Sequence, residues 1–437
     1  MISAALLYFS IVTAVGQAAP QTLTLDEALA IAMKNAFTLR IAETKAQKAR
    51  GLEKQARGAF GPTINLQGNY SRFDGTVTGS GGSTGGGGNT GGSVSGDSKS
   101  AAVFLNQIID ISGIARKALQ VAEYNRLAAE AGIGVESNTL KLRVRTAFFN
   151  VLLSQALVQV QQEALKAAND RLAKAIVRRD NGAIPDFDVL RFTNEVRKVE
   201  QALEQAKGTL KSAKHELNSA MAVPIETDYE PVPVEGFPEL PSEPSDLVVE
   251  AIRSRSEVKQ SEYTIVALTK TSEVQEGSLK PSLSIQASHT RYIDPALNQQ
   301  NQSSLGNIVL SFPVFDSGIT RGRVEAAQRD TDQARIGLEQ LLLGIALEVR
   351  NALTQAQTAK KTYDVAVDSE RLARESLRLA EIRYNEGAGI LIDVTQAQAD
   401  LTAASGNVQN AKYQLLTAYS NLLRAIGRDD IPVSETQ

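Results

Sequence analysis

Few residues in this chain could carry covalent or acid–base chemistry. There is no cysteine, and His215 and His289 are the only histidines. Thiolate catalysis, thiolate metal sites and disulfides are therefore excluded. Two carboxylates stand close together in sequence, Asp186 and Asp188. At i and i+2 near a helix start such side chains diverge, and no nucleophile or metal-ligand set accompanies them. The segment Gly75–Gly96 is half glycine but holds no lysine and no Gly-x-x-x-x-Gly-Lys, so it is not a phosphate-binding loop. With 46 basic and 49 acidic residues, no single-sign field is available to attract nucleic acid. No cofactor, metal or enzymatic activity is expected. What remains is electrostatic: single acids just after glycine turns, Asp188 after Asp180-Asn181-Gly182 and Asp393 after Asn385-Glu386-Gly387.

Helices must position those turns. Glycine closes a helix in the left-handed conformation, and Pro185 and Asp186 suit the start of the next one. Upstream, Leu338, Leu342, Ile345, Val349, Ala352 and Ala356 recur at alternating spacings of four and three, a heptad seam that continues to Tyr384 with one lapse at Glu370. Leu140, Val144, Ala147 and Val151 repeat the rhythm, and so do Phe192, Val196, Leu203, Leu210 and Leu217. From Gly318 to Tyr384 there is no proline. At 1.5 Å per residue such a helix would span about 100 Å, too long for one globular core and suited to a coiled-coil body. Seams rich in alanine bury little apolar area per helix, so each helix needs partners on both flanks, which a closed ring supplies.

The chain also repeats itself. At a constant offset of 205, Ser112-Gly113 matches Ser317-Gly318, Gly182 matches Gly387, and Asp188-Val189 matches Asp393-Val394. At an offset of 219, Ala32, Gly58 and Pro62 match Ala251, Gly277 and Pro281. The offset changes inside the glycine-rich segment, so one half has a longer loop there, with Asn298–Gln302 as its shorter counterpart. Each half reads as helix, hairpin, very long helix, tight turn, helix.

The hairpins alternate. Ile64, Leu66, Gly68 and Tyr70 oppose Asn65, Gln67, Asn69 and Ser71, while Leu283, Ile285, Ala287 and His289 oppose Ser284, Gln286, Ser288 and Thr290. Strands of this length and pattern fit a tilted membrane β-barrel with a polar lumen; a half-buried soluble sheet fits the local pattern equally well. Four strands cannot enclose a lumen, and open edges cannot lie in lipid. In a membrane several chains must therefore share one barrel, and three would give twelve strands.

The expected organisation is as follows. Residues 1–18 form a secretory signal, on the apolar run Ala4–Val15 followed by Gly16-Gln17-Ala18. The first repeat is 19–221, with strands about 63–73 and 101–109, a long helix about 113–180 and a helix about 187–221. A proline-rich extended linker covers 222–244. The second repeat is 245–427, with strands about 282–292 and 307–314 and helices about 318–384 and 391–427. A tail follows at 428–437.

Taken together the chain resembles the TolC family of outer-membrane factors over nearly all of its mature length. The resemblance rests on the duplicated plan, on Leu23-Thr24-Leu25-Asp26-Glu27-Ala28-Leu29, and on Phe312-Pro313-Val314-Phe315-Asp316-Ser317-Gly318 with its looser copy Gln107–Gly113. Arg383-Tyr384-Asn385-Glu386-Gly387 followed by Ile392-Asp393-Val394 completes it. It implies a mainly α protein with membrane β-structure, whose homotrimer forms an α-helical coiled-coil barrel plus a twelve-stranded β-barrel. It implies an exit duct of a tripartite efflux or type I secretion system, in outer-membrane lipid with a long periplasmic extension. Such a duct docks a periplasmic adaptor and is driven by an inner-membrane transporter. By the same resemblance Asp393 occupies the place of an acidic ring at the periplasmic mouth, and Tyr384 and Asp188 match positions linking helices there, with Asp186 beside them. Asn181, Gly182, Ala183, Glu386, Gly387, Ala388 and Gly389 would form the adaptor-docking tips. The sequence departs from the family pattern where a basic residue is expected, at Gly389, and where a second acid is expected, at Gln396. A second reading is a periplasmic or surface coiled-coil scaffold without a channel.

Overall fold

A computed structural model of the chain describes residues 21–77, 92–234, 236, 244–293 and 301–428. The signal expected at 1–18 lies outside the described residues, as do most of the glycine-rich segment, most of Asn298–Gln302 and, beyond Arg428, the tail. Among the described residues no helix is long and apolar enough to cross a membrane.

The order is β1 (Gln21–Leu23), α1 (Leu25–Asn35), α2 (Phe37–Gly58), β2 (Thr63–Val77), β3 (Gly92–Ile109), α3 (Ile114–Asp180), α4 (Asp186–Ala220), β4 (Tyr229–Pro231), α5 (Pro244–Ser254), α6 (Ser256–Gly277), β5 (Ser282–Tyr292), β6 (Gln302–Ser311), α7 (Ile319–Asn385) and α8 (Leu391–Ile426). The duplicated helix–hairpin–long helix–helix plan is present. Three details differ from expectation. The helix before each hairpin is broken in two, at Ala36 and at Arg255. Strands β2 and β3 extend into the glycine-rich segment, because cross-strand pairing continues from Arg72↔Asp97 to Val77↔Gly92. Strand β6 runs from Gln302 to Ser311 instead of about 307–314, leaving Val314 and Phe315 outside the ladder and exposed.

The chain forms two compact units. One comprises Lys45–Glu130 and Lys259–Leu338. Its centre is a four-stranded antiparallel sheet of order β2-β3-β5-β6. The register aligns Leu66 with Val103, Val103 with His289 and His289 with Ser304. Alternation then puts Ile64, Leu66, Val103, Leu105, Ile285 and Ile308 on one face, and Asn65, Gln67, Asn106, Gln286, Ser288 and Asn307 on the other. Among the described residues both sheet edges, β2 and β6, are unpaired. At each strand-to-helix junction an aspartate caps the coming helix. Asp110 accepts from the backbone N–H groups of Ala115 and Arg116 (3.1 and 3.0 Å), and Asp316 from those of Gly318 and Thr320 (3.0 and 2.7 Å). The two acids are one position out of register between the repeats and share one equivalent donor, the N–H of Ala115 and of Thr320, each taking its second bond from a different position. Gly113 and Gly318 follow at φ +75° and +86°, where a side chain would be strained. Arg126 ties α3 to α2 through Glu53 at 2.6 Å.

The other unit takes the chain up to Thr44, Ala131–Val258 and from Glu339 onward. Its largest core cluster packs Leu23, Ala32, Val144, Phe148, Phe149, Leu152, Leu217 and Met221, so the seam residues of α3 face inward. Val349 and Ala356 of α7 are fully buried as well. The lapse at Glu370 is filled by polar contacts, since its Oε1 accepts from Ser405 of α8 and Arg374 at 2.8 Å each. The proline-rich linker is more than a spacer: Tyr229–Pro231 pairs in parallel with Gln21–Leu23. Asn218 anchors it by donating to the Ile225 and Thr227 carbonyls (2.8 and 2.7 Å). Buried Arg255 donates to the Ala425 carbonyl at the end of α8 (3.4 Å) and reaches Glu348 of α7 at 2.6 Å and Glu257 of α6 at 3.0 Å. Arg428, assigned above to the tail, pairs with Glu250.

Candidate functional site

The glycine turns are built twice by one device. Before Gly182, α3 ends in a Schellman arrangement: the Gly182 N–H bonds the Arg179 carbonyl and the Ala183 N–H the Arg178 carbonyl, both at 2.8 Å. In the second repeat the Gly387 N–H bonds the Tyr384 carbonyl at 3.2 Å and the Ala388 N–H the Arg383 carbonyl at 2.9 Å. Both glycines are left-handed, at φ +73° and +74°. The next helices start without a side-chain cap, from Pro185 and Ile390 in extended conformation. Pro185 is thus the cap residue and Asp186 the first helical residue. Uncapped N–H groups at these ends favour nearby negative charge, which Asp186, Asp188 and Asp393 provide in the first turns.

The acids differ in setting. Asp393 is exposed, and so is Asp186, 3.9 Å from Arg179, whereas Asp188 is half-buried. Tyr384 packs into both apolar clusters of this region, with Ala175, Phe192 and Leu391 on one side and Leu377, Val394 and Ala397 on the other. The Arg178 guanidinium carbon lies 4.8 Å from its ring centroid. Burial pushes the Tyr384 hydroxyl above its ordinary pKa; Arg178 acts against that rise and Asp188 adds to it. The hydroxyl is buried without a hydrogen-bond partner, so Tyr384 and Asp188 are near but not bonded. Asn181, Gly182, Ala183, Glu386, Gly387 and Ala388 are exposed. Gly389 is not equally open: a Cβ there would stand 3.1 Å from Arg383 Cβ and from the Tyr384 nitrogen. A side chain there would require Arg383 and the Tyr384 backbone to give by a few tenths of an ångström.

A buried polar cluster lies behind the turns, and no periodicity in the sequence marked it. Arg171 of α3 donates to Gln398 of α8 (2.6 Å) and Glu195 of α4 (3.3 Å), with Glu381 of α7 at 3.9 Å. Burial pushes the Glu195 carboxyl above the usual range, with Arg171 and Lys198 opposing the rise. The cluster borders a groove of about 730 Å³ also lined by Arg191, Lys198 and Thr395. Among the described residues no three acids or histidines converge as metal ligands. The arrangement can hold helices together and present charge; it has no nucleophile and base in contact.

The fold is that of outer-membrane channels. The Campylobacter jejuni CmeC outer membrane channel matches with a TM-score of 0.79 at 18% identity, covering 92% of this chain and 85% of that one. The outer membrane protein VceC of Vibrio cholerae matches at 0.76 and 17%, covering 92% and 96%. In sequence the chain is 25% identical to Nodulation protein T of Rhizobium leguminosarum bv. viciae, over 75% of this chain and 69% of that protein. It is 23% identical to outer membrane protein TolC of Escherichia coli K12, over 85% and 76%. Residues 28–223 and 247–428 match the family model described as outer membrane efflux protein, and the chain belongs to that family. It is an exit duct of the cell's outer membrane. Its relatives are channel proteins, not enzymes.

Proposed function

We propose that three copies of the chain close one water-filled conduit, with the helix turns as its gated periplasmic mouth. The observation that carries this reading is the sheet of unit Lys45–Glu130 and Lys259–Leu338: one face rich in Ile64, Leu66, Val103, Leu105, Ile285 and Ile308, an opposite face mostly polar although it also holds Phe104, Ile108, Leu305 and Val309, and two edges open among the described residues. In lipid an open edge leaves backbone donors and acceptors unsatisfied, so β2 of one copy must pair with β6 of the next. Three such sheets give a closed barrel of about twelve strands, wide enough for an aqueous lumen. The alanine-rich helices then find flanking partners in neighbouring copies.

At the mouth, threefold symmetry turns each acid into a ring, and rings of carboxylates favour cations. Asp393, with Asp186 and Asp188, supplies those charges, and Tyr384 with Arg178 packs the wall behind them. The exposed turns at Asn181–Ala183 and Glu386–Ala388 receive a periplasmic adaptor, whose helical hairpin can approach the bare glycine backbone. An inner-membrane transporter supplies the energy, because nothing in the duct can. Native mass spectrometry of the detergent-extracted protein tests the assembly. Three copies are expected; a stable monomer in detergent-free buffer overturns the proposal.

A further inference from the structure

The four charged side chains described in the sheet, Arg72, Asp97, Lys99 and Arg291, all lie near its hairpin end. The register also puts all four on the apolar face. Arg72 is opposite Asp97, Tyr70 opposite Lys99, and Arg291 opposite Ala101, each in phase with Leu66 and Val103. The polar face, which would line the lumen, carries no charged side chain among the described residues. A charge band serving the conduit's contents belongs on that polar face. These charges instead continue the surface turned toward lipid, and they are exposed.

Their height fits a headgroup layer. Ten residues separate Ile109, at the helix end of β3, from Lys99. At about 3.3 Å per residue and a tilt of about 40°, that rise is about 25 Å, the height of the apolar band of a membrane barrel. Tyr70 sits in the same band beside Lys99, an aromatic ring with its polar tip at the boundary. Arg291 is the diagonal neighbour of Lys99 across β3 and β5, about 7–8 Å away. Asp97 lies 3.9 Å from Arg72. Among the described side chains, three cations and one acid thus share one edge of the apolar wall.

We propose that this face binds the phosphate groups of lipid headgroups in the leaflet at the hairpin end, with Arg72, Lys99 and Arg291 as the phosphate contacts. The inference rests on the membrane-barrel reading above. Arginine forks and the lysine ammonium pair with phosphate oxygens, while the apolar rows beneath meet the acyl chains.

The test is native mass spectrometry of the full-length protein in detergent, titrated with bis-phosphoryl lipid A, with a dephosphorylated form of the same glycolipid, and with inorganic phosphate. The wild type should prefer the phosphorylated lipid, with inorganic phosphate a poor competitor. Arg291→Gln should reduce that preference about fivefold, and the triple substitution Arg72→Gln, Lys99→Gln, Arg291→Gln should abolish it. Asp97→Asn should raise it, a gain that misfolding cannot imitate. Equal binding of both lipids by the wild type, an unchanged preference in the triple variant, or full competition by inorganic phosphate overturns the proposal. Conductance in phosphatidylcholine bilayers separates the two readings. Pores without lipid preference sink the phosphate site alone, whereas a wild type that forms no pores sinks the barrel beneath it.

Discussion

Arg171 on α3 donates from Nη1 to Oε1 of Gln398 on α8 across 2.6 Å, joining residues 227 positions apart in sequence. The same guanidinium holds Glu195 on α4, so one partly buried cation fastens three helices behind the turns. Removing it strands a largely buried carboxylate. Arg171→Ala should lower stability by about 2–3 kcal/mol, less than for a fully buried pair because Glu195 keeps some solvent contact. A lowered thermal midpoint of the detergent-solubilised protein checks this.

Glu195 itself should behave in the opposite sense. Burial raises its pKa in the folded protein, so its contribution is complete below the unfolded value and is lost as pH rises through the folded one. The wild type minus Glu195→Gln difference in midpoint should fall as pH is raised from about 4 to 7. A difference that grows with pH contradicts the assignment.

Glu257 offers the mirror case at the far clasp. Burial is the largest single influence and disfavours its charge, but the hydrogen bonds from Arg255 and from its own backbone, together with the positive charges of Arg255 and Arg424, jointly hold the carboxyl below the usual range. Its contribution is present above the unfolded pKa and lost as pH falls through the folded value. Glu257→Gln should destabilise by about 1–2 kcal/mol at pH 7, an effect that fades in acid, as a pH series of unfolding midpoints would record.

Much of this was legible from residue types. Gly182 and Gly387 announce left-handed turns because few other residues tolerate that conformation, and strict alternation from Ile64 to Ser71 leaves no other way to build a two-faced strand. What escaped notice lacks any local signature. Arg171 has no periodic relation to Gln398 or Glu195, since their contact is made by packing of distant helices. The breaks at Ala36 and Arg255 have no proline or glycine to mark them. The Tyr229–Pro231 pairing with Gln21–Leu23 is too short to show a period. Asp110 and Asp316 do the same work one position apart, so alignment of the repeats alone hides their equivalence.

Ala356 tests the close packing of the seam. It is fully buried on α7. Ala356→Leu inserts three carbons where there is no space and should cost about 1–3 kcal/mol in packing. Native gels should show a loss of assembled protein; wild-type yield would contradict the close-packed seam.

The mouth should respond to charge alone. Asp393 is exposed and makes no side-chain hydrogen bond or ion pair described above; its loss removes only a favourable charge from the first turn of α8, so Asp393→Ala should leave assembly unchanged. In planar bilayers it should weaken block by multivalent cations applied from the turn side, and an unchanged block would remove Asp393 from the ring.

The most direct measurement is the single-channel conductance of the purified wild-type protein in a planar lipid bilayer. Discrete, long-lived steps whose size grows with salt concentration are predicted, because four strands from each of several copies must enclose water. An oligomer that inserts into the bilayer yet passes no current would contradict the account.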